Sequence, residues 1–569
     1  MRLDSTHSHY SPQVRQYAME LARSIMLCSI GPIDLTDDLK IKLKDIFKEQ
    51  YKAGFSSAAN FGLAFCLKMF LRFQRLDSAP KGCTAYRCSR EGDRSIHADA
   101  LMILFCGIVG KDLRGKYIKF FNATIRYLTL QALLEFTGRA SLMSMDNCAQ
   151  CMDGGILVDA IVTALSDSTK DFCQSAIVAL RHINDVCRVV IPNLEVMPLI
   201  PFVRYLLESV SALCYASSWF VRLGGASGLT YFIENYPDSV ILVNMSRFMD
   251  SLVEVLVGMT DQVSCGAVDM AVGAIEKLLK RCLPDCKLDD PKVSIFMNSV
   301  ASQLFSGSQN IRNKTLSLLN LCADVLKEPF SALMYAYRHL FVSHIERAME
   351  EFNVLALLDR CGSLEALCTI FVCQPSLVDV SIGLERTQKF LNELITVCQM
   401  PISEMLELDL FKSMEGCPAH FLPPHTVSEK AEHYKIMAVR ALVALYKSLL
   451  RDASENGMDT SSEADEGEEG RLTLCKIACV AVETVLCPLK SVVQAAEEAL
   501  LQVAPVNAEC LKRVGEHVFA QFHEPHGEGL NSESVAQLYR LVRLNTSLFD
   551  ITLATNLVVS FFLEKEPKI

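Results

Sequence analysis

Glycine and proline are scarce in this chain, at 27 and 19 of 569 residues, and there is one tryptophan. With a hydrophobic fraction of 50%, that scarcity excludes collagen-like, low-complexity and wholly disordered classes. A basic excess is also missing: 55 Lys and Arg stand against 66 Asp and Glu, a net charge of -11. Proteins that hold nucleic acid by neutralising phosphates are basic, so no direct nucleic-acid contact is expected. No apolar run is long enough for a bilayer. Ile551 to Leu563, about 13 residues, is interrupted by Thr552, Thr555 and Asn556. Met1 is followed by Arg2, Asp4 and the polar stretch Ser5 to Ser8 in place of an apolar leader, so the chain is expected inside the cell.

What is plentiful is cysteine and helical periodicity. The 23 cysteines are odd in number and follow no framework spacing. Cys66, Cys173, Cys322, Cys368, Cys398 and Cys479 fall within apolar helical patterns and read as reduced, buried small hydrophobes. Apolar residues recur at helical spacing nearly throughout, and alternating strand-like runs are absent, which predicts an all-α chain. Ser11 before Pro12, and Thr260 before Asp261, are helix-start signals.

Several predicted helices open with an apolar residue followed four positions later by a small one: Val14 and Ala18, Phe172 and Ala176, Val221 and Gly225, Val263 and Ala267, Ile311 and Thr315, Val492 and Ala496. Four of these apolar residues follow one another at spacings of 49, 42 and 48 residues. Arg15, Arg222 and Arg312 directly follow the apolar residue in three of the six. This is the pattern of the second helix of a HEAT-type repeat, where the small residue lets the paired helix approach. A single pair cannot bury its own faces, so the prediction is a HEAT/armadillo-like helical-repeat solenoid of about 45 residues per repeat.

Residues 1–76 are read as N-terminal helical repeats, 77–94 as a polar loop, 95–451 as further HEAT-like repeats and 471–569 as C-terminal repeats. Between the last two, 452–470 carries eight carboxylates and no basic residue, and is expected to be a disordered, solvated insertion. Ser461 and Ser462 within it give a second reading, a docking or phosphorylation segment. Residues 415–426, with three prolines, are expected to form a loop.

Catalytic motifs fail on spacing. Gly107, Gly110, Lys111 and Asp112 have two residues between the glycines and an Asp where a phosphate loop needs Ser or Thr. His523 and His526 are three apart with Pro525 between them, which does not present two imidazoles to a metal. Cys148 and Cys151 form a CxxC before Gly154, and Cys83 and Cys88 a looser pair. They would make a zinc site only if the fold joined them, and no metal or cofactor is expected. Cys417, His420 and His425 lack an orienting carboxylate at known spacing, so no catalytic residue is assigned. Trp219 reads as core.

Two stretches then stand out: YLLESVSALCYASSWFVRLGGASGLTYFIE at 205–234, and FMDSLVEVLVGMTDQVSCGAVDMAVGAIEKLL at 248–279. With VDAIVTALSDSTKDFCQSAIVAL (158–180) before them, and VDVSIGLERTQKFLNELITVCQ (378–399) and LDLFKSM (408–414) after, they resemble the HEAT region of the transformation/transcription domain-associated (TRRAP) family. The resemblance runs from about Ile96 to Ala504 and rests on non-periodic detail: Ser218-Trp219-Phe220 leading into Arg222-Leu223-Gly224-Gly225, and Ser264 to Met270. It implies a segment of a pseudokinase scaffold of the phosphatidylinositol-kinase-related family, without that family's kinase-like or FATC end. It further implies a non-catalytic role in nuclear histone acetyltransferase complexes such as SAGA, with complex subunits and transcription activators as partners. Lys277, Lys280 and Arg281, or Arg338 and His339, are the basic groups available to acidic activator segments, unless they simply solvate helix faces. The alternatives are a karyopherin-like or phosphatase-scaffold-like solenoid for protein cargo and, more remotely, a zinc or Cys/His enzyme.

Overall fold

The computed structural model describes residues 114–136, 154–258, 266–373, 385–414, 417–418, 424–455 and 489–501, with single positions between 101 and 108 and between 476 and 487. The expected repeats of 1–76 and the loop 77–94 lie outside these residues, as do 456–475 and everything after Leu501. The described chain is helical apart from a two-residue antiparallel pair, β1 (Ser413–Met414) and β2 (Cys417–Pro418), in register Ser413 to Pro418. The chain divides into two compact units, Met1–Cys286 and Lys287–Ile569.

The first unit contains α1 (Arg114–Phe136), α2 (Gly154–Leu165), α3 (Lys170–Val190), α4 (Pro201–Ala212), α5 (Trp219–Asn235), α6 (Asp238–Val243), α7 (Met245–Val257) and α8 (Ala267–Cys282). Short 3-10 segments, Leu194–Leu199 and Leu213–Tyr215, flank α4. Helices α2 and α3, α4 and α5, and α7 and α8 pair as hairpins. The first members pack on one another in the order α2, α4, α7, and the second members in the order α1, α3, α5, α8. Two parallel rows of helices sharing one core is the architecture of a helical-repeat solenoid.

The second unit repeats the scheme with α9 (Pro291–Val300), α10 (Gln309–Leu326), α11 (Phe330–Ala336), α12 (Arg338–Glu350), α13 (Leu357–Cys373), α14 (Glu385–Gln399), the short α15 (Ile402–Met405) and α16 (Asp409–Lys412), α17 (Pro424–Glu455) and α18 (Lys490–Leu501). A row α10, α13, α17, α18 stands beside α12 and α14. Helix α17 runs four residues into the stretch expected as an acidic insertion. It also takes in Pro424 to Thr426, which had been expected as loop, with Pro424 at the first helical position, where a missing N–H costs nothing.

Local chemistry sets the boundaries. Asn193 and Asp290 accept the backbone N–H two residues on, and Pro201 and Pro291 open α4 and α9. Helix α10 ends with Lys327 in the left-handed region (φ 60°), Glu328 N–H bonding back to Ala323 O at 3.0 Å and Pro329 next. Along α3, Phe172, Ala176, Ala179, Leu180, Ile183 and Cys187 form the buried stripe at helical spacing.

The small-residue pattern does what its spacing predicts. Phe172, Val221, Ile311 and Val492 are each the third residue of a helix: α3, α5, α10 and α18. All four helices belong to the second-member rows, and Ala176, Gly225, Thr315 and Ala496 are buried. A Cβ on Gly225 would lie 2.9 Å from Leu213 Cβ, and one on Gly228 would lie 2.6 Å from Val210 Cγ1, so α5 rests directly on the α4 side. Ala267 is the first residue of α8 and fully buried, whereas Val263, Val14 and Ala18 lie outside the described residues.

Candidate functional site

The arginines that follow the apolar residue are interior. Arg222 is 7% exposed and Arg312 3%. Each sits one turn into its helix and folds back over the linker before it. Arg222 Nε donates to Ala216 O at 2.5 Å, and Arg312 Nη1 donates to Ser306 O at 2.7 Å and Gly307 O at 2.9 Å. Each then reaches a carboxylate of another helix. Arg222 donates to Glu254 O at 2.9 Å and meets Oε1 at 3.5 Å on α7; Arg312 Nε donates to Glu365 Oε2 on α13 at 2.8 Å, and its Nη2 pairs with the same oxygen. The planar fork of arginine binds linker carbonyls and carboxylate at once, which a lysine does not do. These carboxylates, 32 and 53 residues away, carry no local sequence signal.

The first expected basic patch is consumed by the fold. Lys277 pairs with Glu234 at 2.6 Å and Lys280 with Glu276 at 3.8 Å. Arg281 donates to Asp238 Oδ1 at 2.8 Å, to Tyr236 O at 2.6 Å and to Ile233 O. From the other side, Asn184 and Arg188 of α3 donate to Asn235 O at 3.1 and 2.5 Å. The C-terminal carbonyls of α5 lack intrahelical partners and carry the negative end of the helix dipole, so cationic and amide donors from both neighbouring helices satisfy them. Lys277, Arg281, Asn184 and Arg188 thus join neighbouring helices, while the Lys280 pair lies within α8. Lys435 of α17 does the same for α14, donating to Met400 O at 2.7 Å from a buried position.

The second expected patch has a different character. Tyr337 joins α11 to α12, and its hydroxyl donates to Leu288 O at 2.7 Å and lies 3.1 Å from Ser294 Oγ, which fixes the elbow; burial pushes its phenol up from the ordinary value. Around this anchor Tyr335, Arg338 and His339 are exposed. The Arg338 guanidinium lies 5.0 Å from the centroid of the Tyr335 ring and pairs with no carboxylate among the described residues. An arginine stacked on an aromatic face keeps its edge N–H groups directed outward, the arrangement that accepts a carboxylate.

The remaining sequence candidates lie only in part within the described residues. Cys417 is in β2 and His425 is an exposed residue at the start of α17, while His420 lies outside the described residues. So do Cys83, Cys88, Cys148, Cys151, His523 and His526, and the run from Gly107 to Asp112 except Ile108. Among the described residues no three His, Cys, Asp or Glu side chains gather as a metal site would require. Cys187, Cys214, Cys322, Cys361 and Cys398 are buried, and that burial pushes their thiols up to about 12. Such thiols pack as apolar groups. Trp219 was expected in the core but is only half-buried, at the first position of α5 with its ring edge-on to Phe220 at 5.7 Å.

Against known proteins, the profile of the Tra1 HEAT repeat ring region matches residues 2–566. Transcription-associated protein 1 of Caenorhabditis briggsae is 27% identical over 465 residues, covering 80% of this chain and 11% of that protein. The transformation/transcription domain-associated protein of Homo sapiens is 23% identical over 394 residues, covering 65% of this chain and 10% of that protein. The chain thus spans about a tenth of the length of these relatives. Among solved structures, Kap121p aligns over 99% of this chain and 65% of its own at 11% identity with a TM-score of 0.23.

Proposed function

The chain belongs to the family of Tra1 HEAT repeat ring regions, a transcription-associated helical scaffold, and from that premise we propose that it is a non-catalytic nuclear scaffold segment of a histone acetyltransferase complex that receives transcription activators. The observation that carries the reading is the match over nearly the full chain, joined to a stack whose interior arginines and lysines are spent on holding helix to helix. Such a stack offers a long side-chain surface against which protein segments can lie. Acidic activator segments would be met at the elbow of Tyr335, Arg338 and His339, the one of the two expected basic patches whose guanidinium is not already paired with a carboxylate. This engagement is between proteins; no nucleic acid, membrane, cofactor or metal takes part.

The test is affinity purification of the tagged chain from nuclear extract, with mass spectrometry of what accompanies it. Acetyltransferase and adaptor subunits are the expected companions, and Arg338→Glu should reduce capture of an acidic activator peptide several-fold while leaving the fold intact. Recovery of a small GTPase with basic cargo would replace the reading with a transport function.

A further inference from the structure

We propose that Arg126, Arg181 and Arg188 form a docking surface for a carboxylate-rich protein segment, on the face shared by α1 and α3. The inference rests on the scaffold reading above in taking a protein as the occupant. In a chain of net charge -11, α1 is an exception, with Arg114, Lys116, Lys119 and Arg126 against Glu135 alone. Arg181 and Arg188 stand seven residues apart on one side of α3, about 10 Å along its axis. All three arginines are exposed, and none pairs with a carboxylate among the described residues. Arg222, Arg281, Arg312 and Arg386 differ in this respect, being matched by Glu254, Asp238, Glu365 and Glu346.

Each guanidinium is anchored by one contact and open beyond it. Arg126 Nε donates to His182 Nδ1 at 3.3 Å, Arg181 lies against the Tyr231 hydroxyl of α5, and Arg188 Nη2 donates to Asn235 O at 2.5 Å. A guanidinium carries five N–H donors, so each anchor orients the group and leaves donors to take a carboxylate. The three heads are held at different residues, and one small anion does not gather them; a chain with several carboxylates does. Asp185 is the acidic side chain among them and leaves the cluster with a positive excess. Val189, next to Arg188, is 86% exposed, an aliphatic contact that suits a segment alternating acidic and apolar residues. Tyr231 is 8% exposed and offers a nucleic-acid base no ring to stack on, and the net charge opposes a phosphate backbone.

The full chain is titrated into a fluorescein-labelled synthetic peptide that alternates Asp or Glu with Leu or Phe, and binding is read by fluorescence anisotropy. The double change Arg126→Gln with Arg181→Gln should weaken binding at least about tenfold. Arg204→Gln with Arg247→Gln removes the same charge from exposed positions of α4 and α7 and should change binding less than about twofold. A photo-crosslinker carried by the peptide should label α1 or α3 of the unaltered chain, a readout that needs no variant. Equal weakening in the two double variants overturns the proposal, since bulk charge would then explain it. So does weakening by Arg338→Gln alone, tighter binding of a single-stranded oligonucleotide than of the peptide, or no peptide binding at all. The scaffold reading is judged separately by its co-purification, which these outcomes do not touch.

Discussion

Arg312→Leu is expected to loosen the second unit around α10 and α13 without unfolding the chain. The guanidinium is 3% exposed, donates to two linker carbonyls and is paired with Glu365. Removing one member of a buried pair costs about 3–5 kcal/mol because the other charge stays behind without compensation. The Glu365 side chain is 27% exposed and water reaches part of it, which brings the cost to about 3 kcal/mol. In a stacked array that loss falls on the nearest interfaces, and a single melting temperature would dilute it. Hydrogen exchange resolves it: amide protection in α10 and α13 should fall roughly a hundredfold, while α3 and α5 stay unchanged. Arg312→Lys should recover little, since an ammonium cannot bridge carbonyls and carboxylate in one plane. The double change Arg312→Leu with Glu365→Leu should recover part of the loss, because no charge is then stranded. Protection unchanged in Arg312→Leu, or a double variant as weak as the sum of the single ones, would refute the assignment of the arginine as an inter-helix tie.

Gly224→Ala places a methyl inside the van der Waals shell of the Leu165 carbonyl oxygen, so α2 and α5 must part; a loss of about 1–3 kcal/mol is expected in chemical unfolding, and none would mean that the contact is loose. Ala267→Arg forces a charged chain into the fully buried first turn of α8 and should lower the melting temperature by several degrees. His182, His344 and His433 are held below the ordinary value of 6.5, chiefly by burial, with Arg126 adding to the effect on His182 and Arg347 to that on His344. For a lowered histidine the unfolded chain takes up the proton first, so stability is full above about pH 6.5 and is lost as the pH falls toward the folded values. Unfolding midpoints measured from pH 7.5 to 5 should therefore decline on the acid side. A flat profile would assign these imidazoles to solvent.

Sequence alone determined what is local. Helical period and an apolar residue followed four positions later by a small one located the starts of α3, α5, α10 and α18, because close helix approach depends on residues within a turn of each other. The arginine after the apolar residue was visible too, but not its employment. Whether Lys277 and Arg281 face a ligand or tie α8 to α5 and α6 depends on Glu234 and Asp238, some forty residues upstream. Likewise Glu254 and Glu365 become partners only once the repeats stack. Charge pairing between repeats is set by the rotation of one helix pair on the next. That rotation is fixed by packing across the whole interface, and no short window of sequence contains it.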